Sequence, residues 1–439
     1  MKMQRRSLLI LLLIVALLAA CGPSTVEEPV SDVEPVEEET VVEVEETEPE
    51  GPVEIAFWYP YGEGSWTGDF IAAQIEAFNA ENPDIIVTGQ SYESYTAIIE
   101  ALQRAAAGEN LPGVATIGYG FDEYIVNSEL ATSYNQLLGD DAEAYLGDFF
   151  ASLTEVTTFD GQTYGVPLAL SVAEVFYHSD VFEAAGLDPA APPTTWAEFL
   201  AAAETIHNEL GIFGATFAMD DPWIFETTVG SNGGAFLTED GPQLDSEIAI
   251  EALTDWGDGV ADGSLLYNAD FFETLQTFGA QQVAMFATSS YGTLIYADIA
   301  PLVMAMPWPA GEGHVARIPA GGNSLYVFGN TDAERAASAT FVTFLTSAEA
   351  NAEWAMNSGY LPTRYSSLEA MGEFITGFDN YQTAIDAIDN VVPPTQFGTH
   401  TLQANQYIME ALEAVMLGAG SADDVLVDAN NALIELLSE

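Results

Sequence analysis

An apolar run of strand length, VEIAFWY at 53–59, opens the first stretch of the chain whose hydrophobic pattern has a clear period. The Gly- and aromatic-rich PYGEGSWTGDF that follows reads as a loop, and Ile71, Ile75 and Phe78 then recur at helical spacing over 69–79. Asn82-Pro83 ends that helix, because proline disfavours the helical conformation of the residue before it. A second strand (IIVTGQ), a second amphipathic helix (95–107) and a third strand-like run (LPGVATIGY) follow. Strand alternating with helix predicts an α/β fold built on a parallel, doubly wound sheet. Ligands of such sheets lie at the strand carboxyl ends. Trp58, Tyr59, Tyr61, Glu63, Trp66 and Tyr119 are expected there.

The middle of the chain is organised around YGVPLALSVAEVFYHSDVFEAAGLDPAAPPTTWAEF, residues 164–199. Its apolar run 172–177 predicts a strand, and Gly186 is placed to end a short helix. Pro192 and Pro193 stop further helix, and Thr195 with Glu198 forms a capping box for the next one. Beyond it, Trp223, Phe225 and Glu226 read as a loop, and 247–260 as a helix. Residues 288–290 (ThrSerSer) make a small-residue turn. A strand over 320–327 precedes one long helix over 332–356. The C-terminal third is helical, with Leu402, Ile408, Leu412 and Val415 on one face and a last helix starting at Ser421.

With 439 residues, two lobes are expected rather than one core. Lys2, Arg5 and Arg6 precede an apolar segment, 8–20, too short for a membrane span, so 1–20 reads as an export signal. Residues 22–52 carry twelve acids and no aromatic residue, the composition of a solvated, disordered linker. The formal net charge is −61, with only seven Lys and Arg. Nucleic acid is thereby excluded as a partner, since phosphates would meet no neutralising groups. Such a surface suits high ionic strength, where screening reduces self-repulsion.

One cysteine, Cys21, rules out an intrachain disulfide or a thiolate cluster. The four histidines show no metal spacing, and no nucleophile elbow or phosphate loop is present. Asp255, Asp258 and Asp262 do not match a calcium loop. No cofactor, no metal and no enzymatic activity are expected.

LeuAlaAlaCysGly at 18–22 resembles a bacterial lipobox, which implies lipid on Cys21 and anchoring to the extracytoplasmic face of the membrane. Segment 164–199, with GGNSLYVF and FVTFLTSAEANAEWAMNSGYLPTR at 321–364, is similar to the extracellular solute-binding proteins of ABC importers, in the branch holding glycerol-3-phosphate receptors and their sugar-binding relatives. The resemblance implies a two-lobed periplasmic-binding-protein (type II) fold, each lobe a sheet flanked by helices, with the ligand cleft at the hinge. The implied lobes are 53–168 with 321–357, and 169–320 with 358–439, in a monomer that delivers its ligand to permease subunits. It places ligand contacts at Tyr95, Tyr119, Ser171, Ser289, Gly322 and Tyr360; aromatic and acidic residues (Trp58, Glu63, Trp66, Trp223) are added to these for a sugar. The family's glycerol-phosphate site has glutamate where this chain has Tyr119, and an arginine where it reads PheGlyThrHis. For a phosphate, His400, Arg104 or Arg364 would have to substitute. A sugar or small oligosaccharide is therefore expected, with glycerol 3-phosphate or its diesters, or a polysaccharide-binding surface role, as rivals.

Overall fold

The computed structural model describes residues 51–438 except Glu109, Ala269, Ala300 and Pro301; the export signal, Cys21 and nearly all of the acidic segment lie outside the described residues. Two five-stranded sheets organise the rest. The first contains β1 (Val53–Tyr59), β2 (Ile85–Ser91), β3 (Val114–Gly118), β4 (Gly165–Ser171) and β10 (Gly321–Val327), in the order β2-β1-β3-β10-β4. The second contains β5 (Ala173–His178), β6 (Phe213–Phe217), β7 (Leu265–Leu266), β8 (Val283–Ser289) and β9 (Val303–Pro307), in the order β7-β6-β8-β5-β9.

The expectation of wholly parallel sheets is corrected by the pairing. In each sheet the fourth strand, β10 or β5, runs antiparallel to both neighbours. Each of these strands enters directly from the other lobe: β5 follows β4 across the single residue Val172, and β10 follows Ile318–Pro319. A strand crossing over without a helical connection reverses direction on entry, so the same order arises twice. Every residue of β4 and β5 is buried, which makes this crossing part of the core rather than a linker.

Helices cover both sheets. On the first lie α1 (Trp66–Glu81), α2 (Tyr95–Ala107), α6 (Asp332–Leu345) and α7 (Ala348–Ser358). The second lobe carries α3 (Trp196–Leu210), α4 (Trp223–Ser231), α5 (Glu247–Asp262), α8 (Thr401–Met416) and α9 (Ala422–Leu436). The capping box at Thr195 and Glu198 forms as expected, and Ser421 caps α9.

Local chemistry accounts for three departures. Helix α1 starts at Trp66, before the expected 69, because the Ser65 hydroxyl accepts from Gly68 N at 3.1 Å. Residues 223–226 are helix rather than loop: the Asp221 carboxylate accepts from Trp223 N at 2.9 Å and starts α4. The single helix expected over 332–356 is two, since Thr346 Oγ1 donates back to the Val342 carbonyl and Ser347 caps α7.

Candidate functional site

Strands β1, β2 and β3 are parallel, so the loops after them share one edge of the first sheet. The loop after β6 and the turn after β8 share the corresponding edge of the second. The amino ends of the two crossing strands meet these edges. Chain connectivity thus gathers Tyr61, Tyr95 and Tyr119 of one lobe, Asp220–Glu226 and Ser289–Tyr291 of the other, and the crossing residues Ser171, Gly321 and Gly322.

The floor is a group of tyrosines. Ser94 caps α2 by accepting from Ala97 N, which fixes Tyr95 as the first helical residue. Asn323, in β10, donates from Nδ2 to the hydroxyls of both Tyr61 and Tyr95, at 2.8 Å each. The Tyr360 hydroxyl lies beside that of Tyr95, and its ring stacks on Trp354 with centres 5.7 Å apart and planes 14° apart. Tyr291, from the second lobe, approaches Tyr360 to 4.7 Å and places its hydroxyl beside Thr67 of α1, so the lobes touch here. Burial pushes the hydroxyl pKa of Tyr61, Tyr95 and Tyr360 upward, and they stay protonated hydrogen-bond partners at neutral pH.

On the other flank the segment after Val391–Val392 bridges the lobes. Glu226 accepts from Thr395 N at 2.7 Å, Glu123 N donates to Gln396 Oε1 at 2.7 Å, and Gly398 N donates to Glu123 at 3.0 Å. Leu402 packs against the first lobe rather than continuing the face of Ile408, Leu412 and Val415. On the second-lobe side of this bridge are Trp223, whose Nε1 donates to the Pro319 carbonyl at 2.8 Å, and the carboxylates of Asp220 and Asp221, close to that of Glu226. Asp221 keeps exposed atoms, yet loss of surrounding water, then Asp220 and Glu226, pushes its carboxyl up to about 7.

The expected site residues fall into different settings. Tyr95 and Tyr360 join the tyrosine floor. Trp223 and Ser171 meet at Gly321, where a Cβ would stand 2.7 Å from the indole and 2.5 Å from the serine hydroxyl. The Tyr119 hydroxyl is buried without a partner, and its backbone N–H donates to the Gly322 carbonyl. Ser289 caps its own turn by accepting from Tyr291 N at 3.2 Å. Gly322 answers a backbone need: its φ is +102° and a Cβ would lie 2.3 Å from the Ala169 oxygen. Glu63 lies in the exposed loop, and Trp66 is 53% exposed on the first turn of α1. Trp58 lies instead in the packed layer under α2, 5.2 Å from Tyr92 and among Ile98 and Leu102. Asn323 and Trp354 escaped the sequence reading. A lone amide inside the apolar strand GGNSLYV is the signal for the first.

Two of the three cations named as phosphate partners are engaged elsewhere. Arg364 is buried against Phe149 and paired with Asp148 at 3.1 Å, and Arg104 pairs with Glu100 on the exposed side of α2. His400 directly follows the bridging segment, at the start of α8. Asp255, one of the three aspartates considered for calcium, accepts from Trp196 Nε1 at 3.0 Å, and no cluster of metal-ligating side chains occurs among the described residues. A surface hollow of 310 Å³ lined by Thr254, Asp258, Val415 and Ser421 lies among second-lobe helices and includes none of the expected ligand contacts.

A family model described as bacterial extracellular solute-binding protein matches residues 73–377. The sn-glycerol-3-phosphate-binding periplasmic protein UgpB of Agrobacterium fabrum is 26% identical over 302 residues, 63% of this chain and 68% of that protein. The structure is similar to the cyclic alpha-maltosyl-1,6-maltose binding protein of Arthrobacter globiformis, with a TM-score of 0.74, 25% identity, and coverage of 88% of this chain and 99% of that one. UgpB from Mycobacterium tuberculosis in complex with glycerophosphocholine shares the fold with a TM-score of 0.77 at 21% identity, over 89% and 99% of the two chains. The family match spans well over half of the sequence, and its two sheets have the architecture expected of that match. The chain belongs to the bacterial extracellular solute-binding proteins.

Proposed function

We propose that this protein captures a neutral sugar, small oligosaccharide or polyol in the cleft between its lobes and hands it to the permease of an ABC importer. It does so as a monomer, without chemical change, while lipid on Cys21 holds it at the extracytoplasmic face of the membrane. The observation that carries the ligand class is the composition of the facing walls. Tyrosine rings and hydroxyls gather at the edge of the first sheet, Trp223 and the carboxylates of Asp220 and Asp221 at the corresponding edge of the second, and Arg104 and Arg364 are paired with Glu100 and Asp148. Aromatic faces suit the apolar side of a pyranose, and hydroxyls and carboxylates suit its hydroxyls. A phosphate there would meet the acids, while Arg104 and Arg364 are held by Glu100 and Asp148.

A second reading rests on kinship: the Agrobacterium relative is named for sn-glycerol 3-phosphate. Intrinsic tryptophan fluorescence separates the two. Trp223 and Trp354 adjoin the cleft and should report ligand entry and lobe movement. Saturable change with maltotriose or another neutral sugar, and none with glycerol 3-phosphate or glycerophosphocholine, is expected. A response to the phosphorylated compounds alone would replace the proposal with the second reading.

A further inference from the structure

Asn323 is wholly buried, yet only half of its amide is used: Nδ2 donates to two tyrosine hydroxyls, and Oδ1 has no partner. The opposite orientation of the amide would leave two buried N–H groups unpaired instead of one carbonyl oxygen. Orphaned buried N–H groups are the rarer and costlier defect, so the donating orientation is favoured. The surroundings are built for this contact. Asn323 pairs across the sheet with Gly118, whose missing Cβ admits the Tyr95 ring, and the ladder shifts register immediately after Asn323.

A phenol that accepts from an amide cannot aim its own proton at that amide. Resting on the sugar reading above, we propose that Asn323 is a positioning residue that sets the hydrogen-bond polarity of the cleft floor. Its two N–H groups hold the Tyr61 and Tyr95 oxygens as acceptors and turn both hydroxyl protons outward. Tyr61 is buried, and its hydroxyl lies beside that of Tyr95. The Tyr95 hydroxyl has that of Tyr360 beside it as well, so the donor chain that starts at Asn323 leads outward through Tyr95 and Tyr360 to the ligand. The floor therefore recognises an acceptor oxygen of the ligand, such as a hydroxyl, ring or glycosidic oxygen. The acidic wall across the cleft takes the ligand's donors.

Asn323→Asp tests this with nearly unchanged shape. A carboxylate only accepts, so both tyrosine protons turn toward it and the outward donor is lost. The intensity ratio of the tyrosine ring doublet in Raman spectra distinguishes an accepting phenol from one that only donates. Difference spectra against Tyr61→Phe and Tyr95→Phe assign the two rings in the ligand-free protein. Accepting rings in the wild type that become donors in Asn323→Asp are expected, with affinity for maltotriose falling at least about ten-fold, the loss of one good hydrogen bond. Rings that only donate in the wild type, or an Asn323→Asp protein that binds maltotriose unchanged, would overturn the proposal. Should the aspartate variant not fold, the wild-type spectra against the two phenylalanine variants still decide it. A wild type that ignores neutral sugars while its tyrosines accept from Asn323 refutes the ligand class and leaves the polarity assignment standing.

Discussion

A Cβ built on Gly118 would stand 2.8 Å from Cδ2 and 2.9 Å from Cγ of Tyr95, so the tyrosine ring occupies the space a side chain would need. The contact falls at the rigid base of the ring, which a rotamer change at its far end cannot relieve. Gly118→Ala should therefore push Tyr95 off Asn323. Overpacking of this kind costs about 1–3 kcal/mol, and ligand affinity should fall by more than the melting temperature suggests. Calorimetric titration beside a thermal melt checks it, and unchanged affinity would show that Tyr95 does not need this seat.

Gly322→Ala should behave differently. The residue combines a left-handed backbone with an approach to the Ala169 oxygen that leaves no room for a methyl group. The added atom would meet backbone on β4, at the start of a crossing strand. Severe loss of folded protein is expected, visible as a lowered yield and a collapsed denaturation midpoint. A well-folded variant that merely binds less tightly would restore Gly322 to the ligand contacts.

Arg364 holds the segment after Tyr360 to the first lobe. Its guanidinium pairs with Asp148, donates to the Thr346 carbonyl and lies 3.8 Å from the centre of the Phe149 ring. Asp148 in turn accepts from Ser366 Oγ at 2.6 Å. Breaking a buried pair costs about 3–5 kcal/mol; the Asp148 side chain keeps 32% exposure, which puts Arg364→Leu at the low end. Urea unfolding should show that loss, with little change in ligand affinity at a temperature where the variant is folded. A stability equal to wild type would refute the structural role, and selective loss of affinity for an anionic ligand would revive Arg364 as its partner.

What could be read in the sequence follows from where side chains repeat. Apolar runs such as VEIAFWY and the caps at Thr195 and Ser421 act through neighbours in the chain, and their elements form as expected. Trp58 misled because β1 is packed on both faces: Phe57 and Tyr59 join one cluster and Trp58 another, and an unbroken apolar run carries no sign of which face meets the cleft. The antiparallel fourth strands depend on how the chain crosses between lobes, which no local pattern records. Tyr95 and Tyr360 came from kinship. The amide joining Tyr61 to Tyr95 is separated from them by more than 220 residues and appears only when β10 is laid beside β3.

Glu174 gives the fold a pH dependence of predictable sign. It is 1% exposed at the start of β5; Oε1 accepts from Thr293 Oγ1 at 3.1 Å and Oε2 has no partner. Burial, opposed only by that hydroxyl, raises its carboxyl from 4.5 to about 8. In the unfolded chain the proton leaves near 4.5, whereas the folded protein keeps it until about 8. Between those values the native state binds more protons, so this group's contribution to stability is full below pH 4.5 and declines as pH rises toward 8, by at most about 1.4 kcal/mol per pH unit. Glu174→Gln removes the titration while keeping the size. The stability difference between variant and wild type should therefore be smallest near pH 4.5, grow in the variant's favour up to pH 8, and level off above it. Asp122 and Asp221, each raised to about 7, add a decline of the same sign to both proteins and cancel in the difference. Urea midpoints at pH 5, 6.5 and 8 measure it. A difference that does not change with pH would mean that the Glu174 carboxyl is solvated and ionised in the folded protein.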